Sequence, residues 1–388
     1  MTKNLLIFPF VFIALSLTSV CAHAQGCVAV RPMGCTQPGN LEASQIMQEG
    51  QFQFTGAYRY FQSHRHFVGD SYQEQRATDG TEVINTAHSV DLGIGYGITR
   101  RLSAAVNLPV ISYDRSSLYE HYGNTVKTNP DQLRFHTQAM GIGDLRLTAY
   151  YWLMDPAKPH LKGNVLMGLG IKLPTGNANV QDDFHKRKKD GGDSTVRQPV
   201  DQSIQLGDGG VGFTVETQSY LQVSKTMSLY FSGFYMFNPQ VHNNTAKSTV
   251  PSITQYYSIA DQYAARLGAS YFFSRAGIAA SLGGRIEGVP AIDLIGSSWG
   301  FRRPGYIVSA DPALAFFYRK FDITVGVPVA LYRNRTKSYA DQQDPTGKAH
   351  GDAAFADYQV NITLRYRCGG KHMHHNMPAE MKPLQLSK

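Results

Sequence analysis

The sequence predicts an all-β protein, a transmembrane antiparallel up-and-down β-barrel of about twelve strands with short periplasmic turns and long extracellular loops. Three features predict it. Stretches of about ten residues alternate apolar and polar side chains, the period of a strand with two unlike faces. Past the N-terminus, no segment approaches the roughly eighteen consecutive apolar residues of a membrane helix. The connections between the alternating stretches are short and long by turns. A soluble sandwich shares the first feature, but it has no reason to sort its loops by length from one end to the other.

The chain begins with Lys3, an apolar run from Leu5 to Val20, and the small-x-small site Ala22-His23-Ala24. Residues 1–24 therefore read as a secretory signal peptide. Cys21 raises the alternative of a lipid anchor, although Val20 before it is bulky for a lipidation site. Losing residues 1–24 removes one of 37 basic residues and none of the 29 acidic ones, so the mature chain stays basic. Only 17% of residues are charged, and Gly, Tyr and Phe are abundant, which suits a barrel wall. An exported chain does not meet nucleic acid. The expected organisation is a periplasmic segment over 25–49, an outer-membrane barrel over 50–367 and a periplasmic tail over 368–388.

The strands follow in order. Phe52, Phe54, Tyr58 and Tyr60 alternate with Gln51, Gln53, Thr55 and Arg59; Val90, Leu92, Ile94 and Tyr96 alternate with Ser89, Asp91, Gly93 and Gly95. Leu102 to Leu108, Leu145 to Tyr151 and Val165 to Ile171 repeat the pattern. Further strands begin near Val211, Met227, Tyr263, Gly277, Tyr306 and Phe321. The last, Asp357 to Tyr366, is the most regular: Tyr358, Val360, Ile362, Leu364 and Tyr366 share one face. The short links are Thr99-Arg100-Arg101, Asp155 to Lys162, Ser224-Lys225-Thr226, Ser274-Arg275-Ala276 and Arg319-Lys320. The others are rich in Asp, Asn, Gly, Ser and Pro. An even strand count puts both termini in the periplasm.

Three stretches carry a resemblance. Tyr96-Gly-Ile-Thr-Arg-Arg-Leu-Ser-Ala-Ala-Val-Asn-Leu-Pro109, Gly141-Ile-Gly-Asp-Leu-Arg-Leu-Thr-Ala-Tyr-Tyr151 and Gly168-Leu-Gly-Ile-Lys-Leu-Pro-Thr-Gly176 look like the outer-membrane transporter-like barrels known as "MetA-pathway of phenol degradation". That family neighbours the long-chain fatty-acid and aromatic-hydrocarbon channels. The resemblance covers the first half of the barrel and implies a cell outer membrane protein that passes small, aromatic molecules. Such barrels usually stop at an aromatic residue, whereas this chain runs on for 22 residues past Tyr366.

Parity assigns an inner wall. Arg59, Arg146, Lys172, Arg266, Arg285 and Arg365 face inward, as do Asp91, Asp144, Glu216, Glu287, Asp311, Asp322 and Asp357. A nearly neutral wall is read either as ion pairs that brace a narrow lumen or as a polar path for a solute. Inward glycines at 93, 95, 168, 170, 268 and 283 leave space for a path or for an inserted loop. At the mouth, Arg302, Arg303, Arg333 and Arg335 fall on neighbouring strand ends. Their planar forks suit carboxylate or phosphate, so with Arg285 and Glu287 they form the candidate substrate-binding set. Glu287, Asp293, Asp311 and Asp352 offer mutual pairing as the alternative. Lys186-Arg187-Lys188-Lys189, flanked by aspartates, reads as a loop tip, with outer-membrane lipid and lipopolysaccharide as its partners.

Catalysis is not expected. Gly296-Ser297-Ser298-Trp299-Gly300 matches the G-x-S-x-G pattern, but that elbow needs a strand before it and a helix after it. His64 and His66 fall in the first outer loop as solvated residues. In the tails, Cys27 and Cys35 are spaced for a disulfide. Cys368, His372, Met373, His374 and Met377 form a candidate soft-metal set for Cu or Zn, against the plainer reading of a polar tail without cofactor.

Overall fold

The computed structural model describes residues 46–158, 161–248 and 255–370. Residues 1–45 and 371–388 lie outside it, and with them the expected signal peptide, Cys27, Cys35, His372, Met373, His374 and Met377. The described chain closes into a barrel of twelve antiparallel staves. They are β1 (Gln51–Val68); β3 (Ile84–Gly97); β4 (Leu102–Ser117); β5 (Phe135–Ile142) continued by β6 (Leu145–Trp152); β7 (Gly163–Leu173); and β10 (Gly212–Gln222). The second half comprises β11 (Met227–Phe237); β14 (Gln262–Phe273); β15 (Ile278–Val289); β16 (Gly305–Ala310) with β17 (Ala313–Tyr318); β18 (Phe321–Gly326) with β19 (Val329–Asn334); and β20 (Ala353–Gly369). Closure is by β20 against β1, in register from Gln51 opposite Gly369 to Phe67 opposite Ala353. The count agrees with the strands read from the sequence.

The outside of the barrel is what a bilayer requires. Leu92, Ile94, Leu169, Leu267, Leu282 and Leu364 are exposed, and each has a buried residue directly before it in sequence. Aromatic rings gather at both rims. At the turn end Phe52 meets Tyr96 and Phe321 meets Tyr366, each at 4.7 Å between ring centres. At the loop end Tyr235 meets Phe237 and Tyr306 meets Tyr332, at 4.6 and 5.8 Å. These are the two interfacial girdles of a membrane barrel, and the apolar band between them is lipid-facing.

Three staves are interrupted, at Gly143-Asp144, Asp311-Pro312 and Val327-Pro328. Proline has no N–H for the ladder, which accounts for two of the breaks. Alternation places the start of the fourth stave at Leu145, but the stave continues beyond the break as β5. The first stave is also longer than its alternating residues indicate. β1 runs on to Val68, so His64 and His66 are strand residues; His66 is buried and its Nε2 accepts the Val83 N–H at 2.8 Å. The loop end carries a two-residue strand β2 (Ser71–Tyr72) and two hairpins, β8 (Gln181–Arg187) with β9 (Asp193–Pro199) and β12 (His242–Ser248) with β13 (Gln255–Ser258). An apolar cluster of Phe67, Ile307, Ala330, Ala353 and Phe355 packs where the ends of β1, β16, β19 and β20 converge.

Candidate functional site

The inner wall is polar and braced. The six inward cations and the carboxylates of Asp91, Asp144, Glu216, Glu287, Asp311 and Asp322 are all buried, as parity requires; Asp357 is half-buried, next to a bulge between β1 and β20. They pair across staves more than along them. Arg146 reaches from the fourth stave to Asp91 on the second at 3.6 Å, and Arg266 on the eighth holds Asp311 at the break of the tenth. Asp322 takes both Arg365 and Arg367, at 2.6 and 2.9 Å. The longest reach joins Arg59 on the first stave to Glu287 on the ninth at 3.6 Å, with Arg285 on the same carboxylate. Arg59 also donates twice to Gln359 Oε1, at 3.0 and 2.7 Å. This strut crosses the lumen.

The inward glycines do not line an open path. Side chains from adjacent staves lie over them. A Cβ on Gly168 would sit 2.7 Å from the Tyr150 ring, whose hydroxyl crosses to Glu216 at 2.9 Å. A Cβ on Gly268 or Gly283 would meet the Tyr230 hydroxyl at 2.5 or 2.6 Å. Asn107 and Met47 cover Gly93 and Gly95 in the same way.

The inserted loop that the glycines suggested as an alternative does occur, higher up. Residues 200–208 fold into the mouth after the β8–β9 hairpin. Val200, Ile204 and Leu206 are buried, and Leu206 packs on Ile111 and Ala139. Asp144, freed from the ladder by the stave break, accepts the N–H groups of Gly176 and Asp208 at 3.0 and 3.1 Å. Lys172 holds the Asp208 carboxylate, and the Tyr257 hydroxyl donates to the Val200 carbonyl at 2.9 Å. A single 3-10 turn at Gln202–Ile204 is capped by Asp201.

Two chambers lie at the mouth, and segment 200–208 lines the inner one. The inner one, about 120 Å³, is walled by polar groups including Arg59, Ser63, Asn85, Gln205 and Gln262. The outer one, about 690 Å³, is walled by five arginines, Arg76, Arg115, Arg302, Arg303 and Arg335, against two carboxylates, Asp341 and Asp352. Tyr119, Tyr256, Trp299 and Phe301 supply its aromatic surface. Arg302 and Arg303 line both chambers and stand between them.

Each candidate arginine has a carboxylate. Arg302 holds Asp293 through two bonds of 2.7 and 2.6 Å, and Arg303 holds Asp201 through two of 2.7 Å. Arg335 lies 3.6 Å from Asp341, and Arg333 lies 3.8 Å from Asp357 and over the Phe67 ring. The structure brings Arg302, Arg303 and Arg335 together at the outer chamber. Arg333 lies apart, and Arg285 with Glu287 sits deeper, in the strut. Burial opposes ionisation of Asp201, but Arg115 and Arg303 overcome it and hold its carboxyl far below the usual range. Asp201, Arg115, Asp208 and the aromatic wall carry no local sequence signal, because the end of β4 and the residues just after it (Arg115, Tyr119), the inserted segment (Asp201, Asp208) and the later loops (Tyr256, Trp299, Phe301) meet only in the fold.

A solved outer membrane channel from Pseudomonas putida F1 shares this architecture, with a TM-score of 0.55 at 11% sequence identity, over 85% of this chain and 100% of that one. The fold is that of an outer-membrane channel. The CymD monoaromatic hydrocarbon channel gives a TM-score of 0.40 at 11% identity, over 85% of this chain and 90% of its own. The Ralstonia pickettii toluene transporter TbuX gives 0.41 at 13%, over 84% and 90%. No family model and no curated protein matches the sequence.

On this channel fold the other sequence candidates also find places. Cys368 is a strand residue of β20 opposite Phe52, not the start of a tail. It shares its face with Tyr366. Among the described residues no group of three or more His, Cys, Asp and Glu is arranged to hold a metal. Ser298 of the G-x-S-x-G match is buried, and its Oγ accepts the Asp293 N–H at 2.9 Å; no helix follows it. It braces the loop that carries Arg302. Lys186 donates to the Glu120 carbonyl at 2.6 Å, whereas Arg187, Lys188 and Lys189 are exposed at the hairpin tip.

Proposed function

We propose that this protein is an outer-membrane channel that admits small aromatic solutes through its outer chamber and catalyses nothing. The observation that carries the reading is that chamber: about 690 Å³ at the loop end of a lipid-facing barrel, within the size range of ligand sites, with four aromatic side chains on its wall. The likeness to a solved outer-membrane channel supports the fold, and the three motifs support a place among the transporter-like barrels of the phenol-degradation type. The exposed Arg187, Lys188 and Lys189 suit lipopolysaccharide phosphates.

The cross-lumen strut favours a second reading, a plugged barrel whose loops bind a partner. One experiment separates the two. Purified full-length protein in a planar bilayer should give discrete single-channel steps that added phenol partially blocks. A bilayer that stays silent at every voltage and protein concentration would sink the channel reading in favour of the plugged barrel.

A further inference from the structure

The two arginines between the chambers are held in different ways. Arg302 is closed into the wall: its partner Asp293 lies nine residues earlier in the same loop, and its Nε donates to Ser258 Oγ at 3.0 Å. Arg303 is held by Asp201, which belongs to the inserted segment and lies 102 residues away in sequence. Asp201 has a second cation within reach, Arg115 at 3.7 Å, and Arg115 already has Glu120, at 2.8 and 3.0 Å. The Arg303–Asp201 pair is thus a latch between wall and plug, and its acid keeps a partner if the latch opens. The guanidinium of Arg303 lies 4.7 Å from the centre of the Phe301 ring, on the aromatic side of the outer chamber.

We propose that Arg303 is the carboxylate subsite of the outer chamber, and that an entering small aromatic carboxylate replaces Asp201 on its fork. This rests on the channel reading and names the solute class within it. The exchange trades one bidentate carboxylate for another, so hydrogen bonding at the guanidinium is conserved. Asp201 passes to Arg115. The solute's ring gains the aromatic wall of Tyr119, Tyr256, Trp299 and Phe301. Segment 200–208 then comes loose at its Asp201 end while Lys172 keeps Asp208. Arg302 and Arg303 line both chambers, so a shift of this latch joins the outer space to the inner one. A neutral aromatic of the same shape reaches the chamber and leaves the latch closed.

The test uses the full chain carrying Trp152→Phe. The sequence holds two tryptophans, so Trp299 on the chamber wall then reports alone. Its fluorescence is followed against sodium benzoate and against benzyl alcohol at constant ionic strength. Benzoate should bind roughly tenfold more tightly than the alcohol, a difference of about 1.4 kcal/mol. Arg303→Gln should abolish that preference, and Arg303→Lys, which keeps the charge and loses the fork, should fall between. Asp201→Asn removes the competitor and should tighten benzoate severalfold. Equal binding of benzoate and alcohol by the parent protein overturns the proposal. So does Asp201→Asn weakening benzoate as much as Arg303→Gln, because the pair would then only brace the wall. Heat-dependent gel mobility identifies any variant that fails to fold, and Arg303→Lys then decides the case. Benzoate preference without conductance would leave the subsite standing and sink the channel reading; conductance without preference does the reverse.

Discussion

Replacing Glu287 with Gln should be among the most costly single changes in the barrel. Glu287 is fully buried and is the carboxylate for both Arg285 and Arg59. Removing one partner of a buried pair costs about 3–5 kcal/mol, mainly because a desolvated charge is left behind. Two charges are left here, yet the cost should not double. Arg59 keeps its two bonds to Gln359, so the loss falls chiefly on Arg285 and should come to about 3–4 kcal/mol. Urea unfolding in detergent micelles, followed by tryptophan fluorescence, measures it. Replacing Arg285 and Glu287 together by Met should recover much of the loss, since a buried pair exchanged for apolar side chains is often neutral. The strut joins the first stave to the ninth, so Glu287→Gln should also raise single-channel conductance. A destabilisation under about 1 kcal/mol, with conductance unchanged, would refute the reasoning that a desolvated carboxylate spans the lumen.

Three further outcomes follow from the same structure. Leu147 points to lipid on β6, so Leu147→Arg should cost about 2–4 kcal/mol if it lies at the midplane; thermal unfolding in micelles and in bilayers checks it, and a bilayer cost equal to the micelle cost counts against the lipid-facing assignment. A cysteine at Lys188, on the β8–β9 tip, should label from outside intact cells, and one at Lys225, in the short turn between β10 and β11, should not; reversed labelling would invert the topology. Burial lowers the His121 pKa to about 4, while its ring stacks on Phe184 and its Nδ1 accepts the His185 N–H. The unfolded loop binds the proton more readily, so this packing is fully stable above about pH 6.5 and weakens as pH falls from there towards 4. Hydrogen exchange of the β8 amides, corrected for intrinsic rates, should show it at pH 5, and His121→Gln should remove the dependence.

Much of this barrel was legible because a bilayer imposes a strict code. Alternation located the staves, loop length sorted their two ends, and parity placed every inward charge but the half-buried Asp357 on the buried side. What parity could not give was partnership. Arg303 and Asp201 meet only because a loop of one stave pair folds back over another, and no local pattern records that. The stave breaks were partly legible: Asp311-Pro312 and Val327-Pro328 announce lost ladder bonds, whereas Gly143-Asp144 lacks a proline and hid β5. The glycine signal was read correctly as space and incompletely as to its occupants, since the covering Tyr150 and Tyr230 come from neighbouring staves.

Where a solute is selected follows from where the barrel keeps its volume. Along the wall, tyrosines lie over glycines and charges pair across staves, so the lumen is stiff and largely committed to holding its own shape. Such packing narrows a lumen that twelve staves make wider than the roughly eight-stranded barrels that side chains alone can fill. The larger chamber lies above it, built mainly from loop residues, with His66, Arg115, Ala353 and Ala354 contributed by stave ends. Substitutions in the staves should therefore alter stability and bore, whereas substitutions at Arg303, Asp201 or Trp299 should alter which solute is held. The division places the solute specificity proposed above in the loops, on segments that tolerate change, and leaves the barrel below as the rigid frame that keeps Arg302 and Arg303 in place.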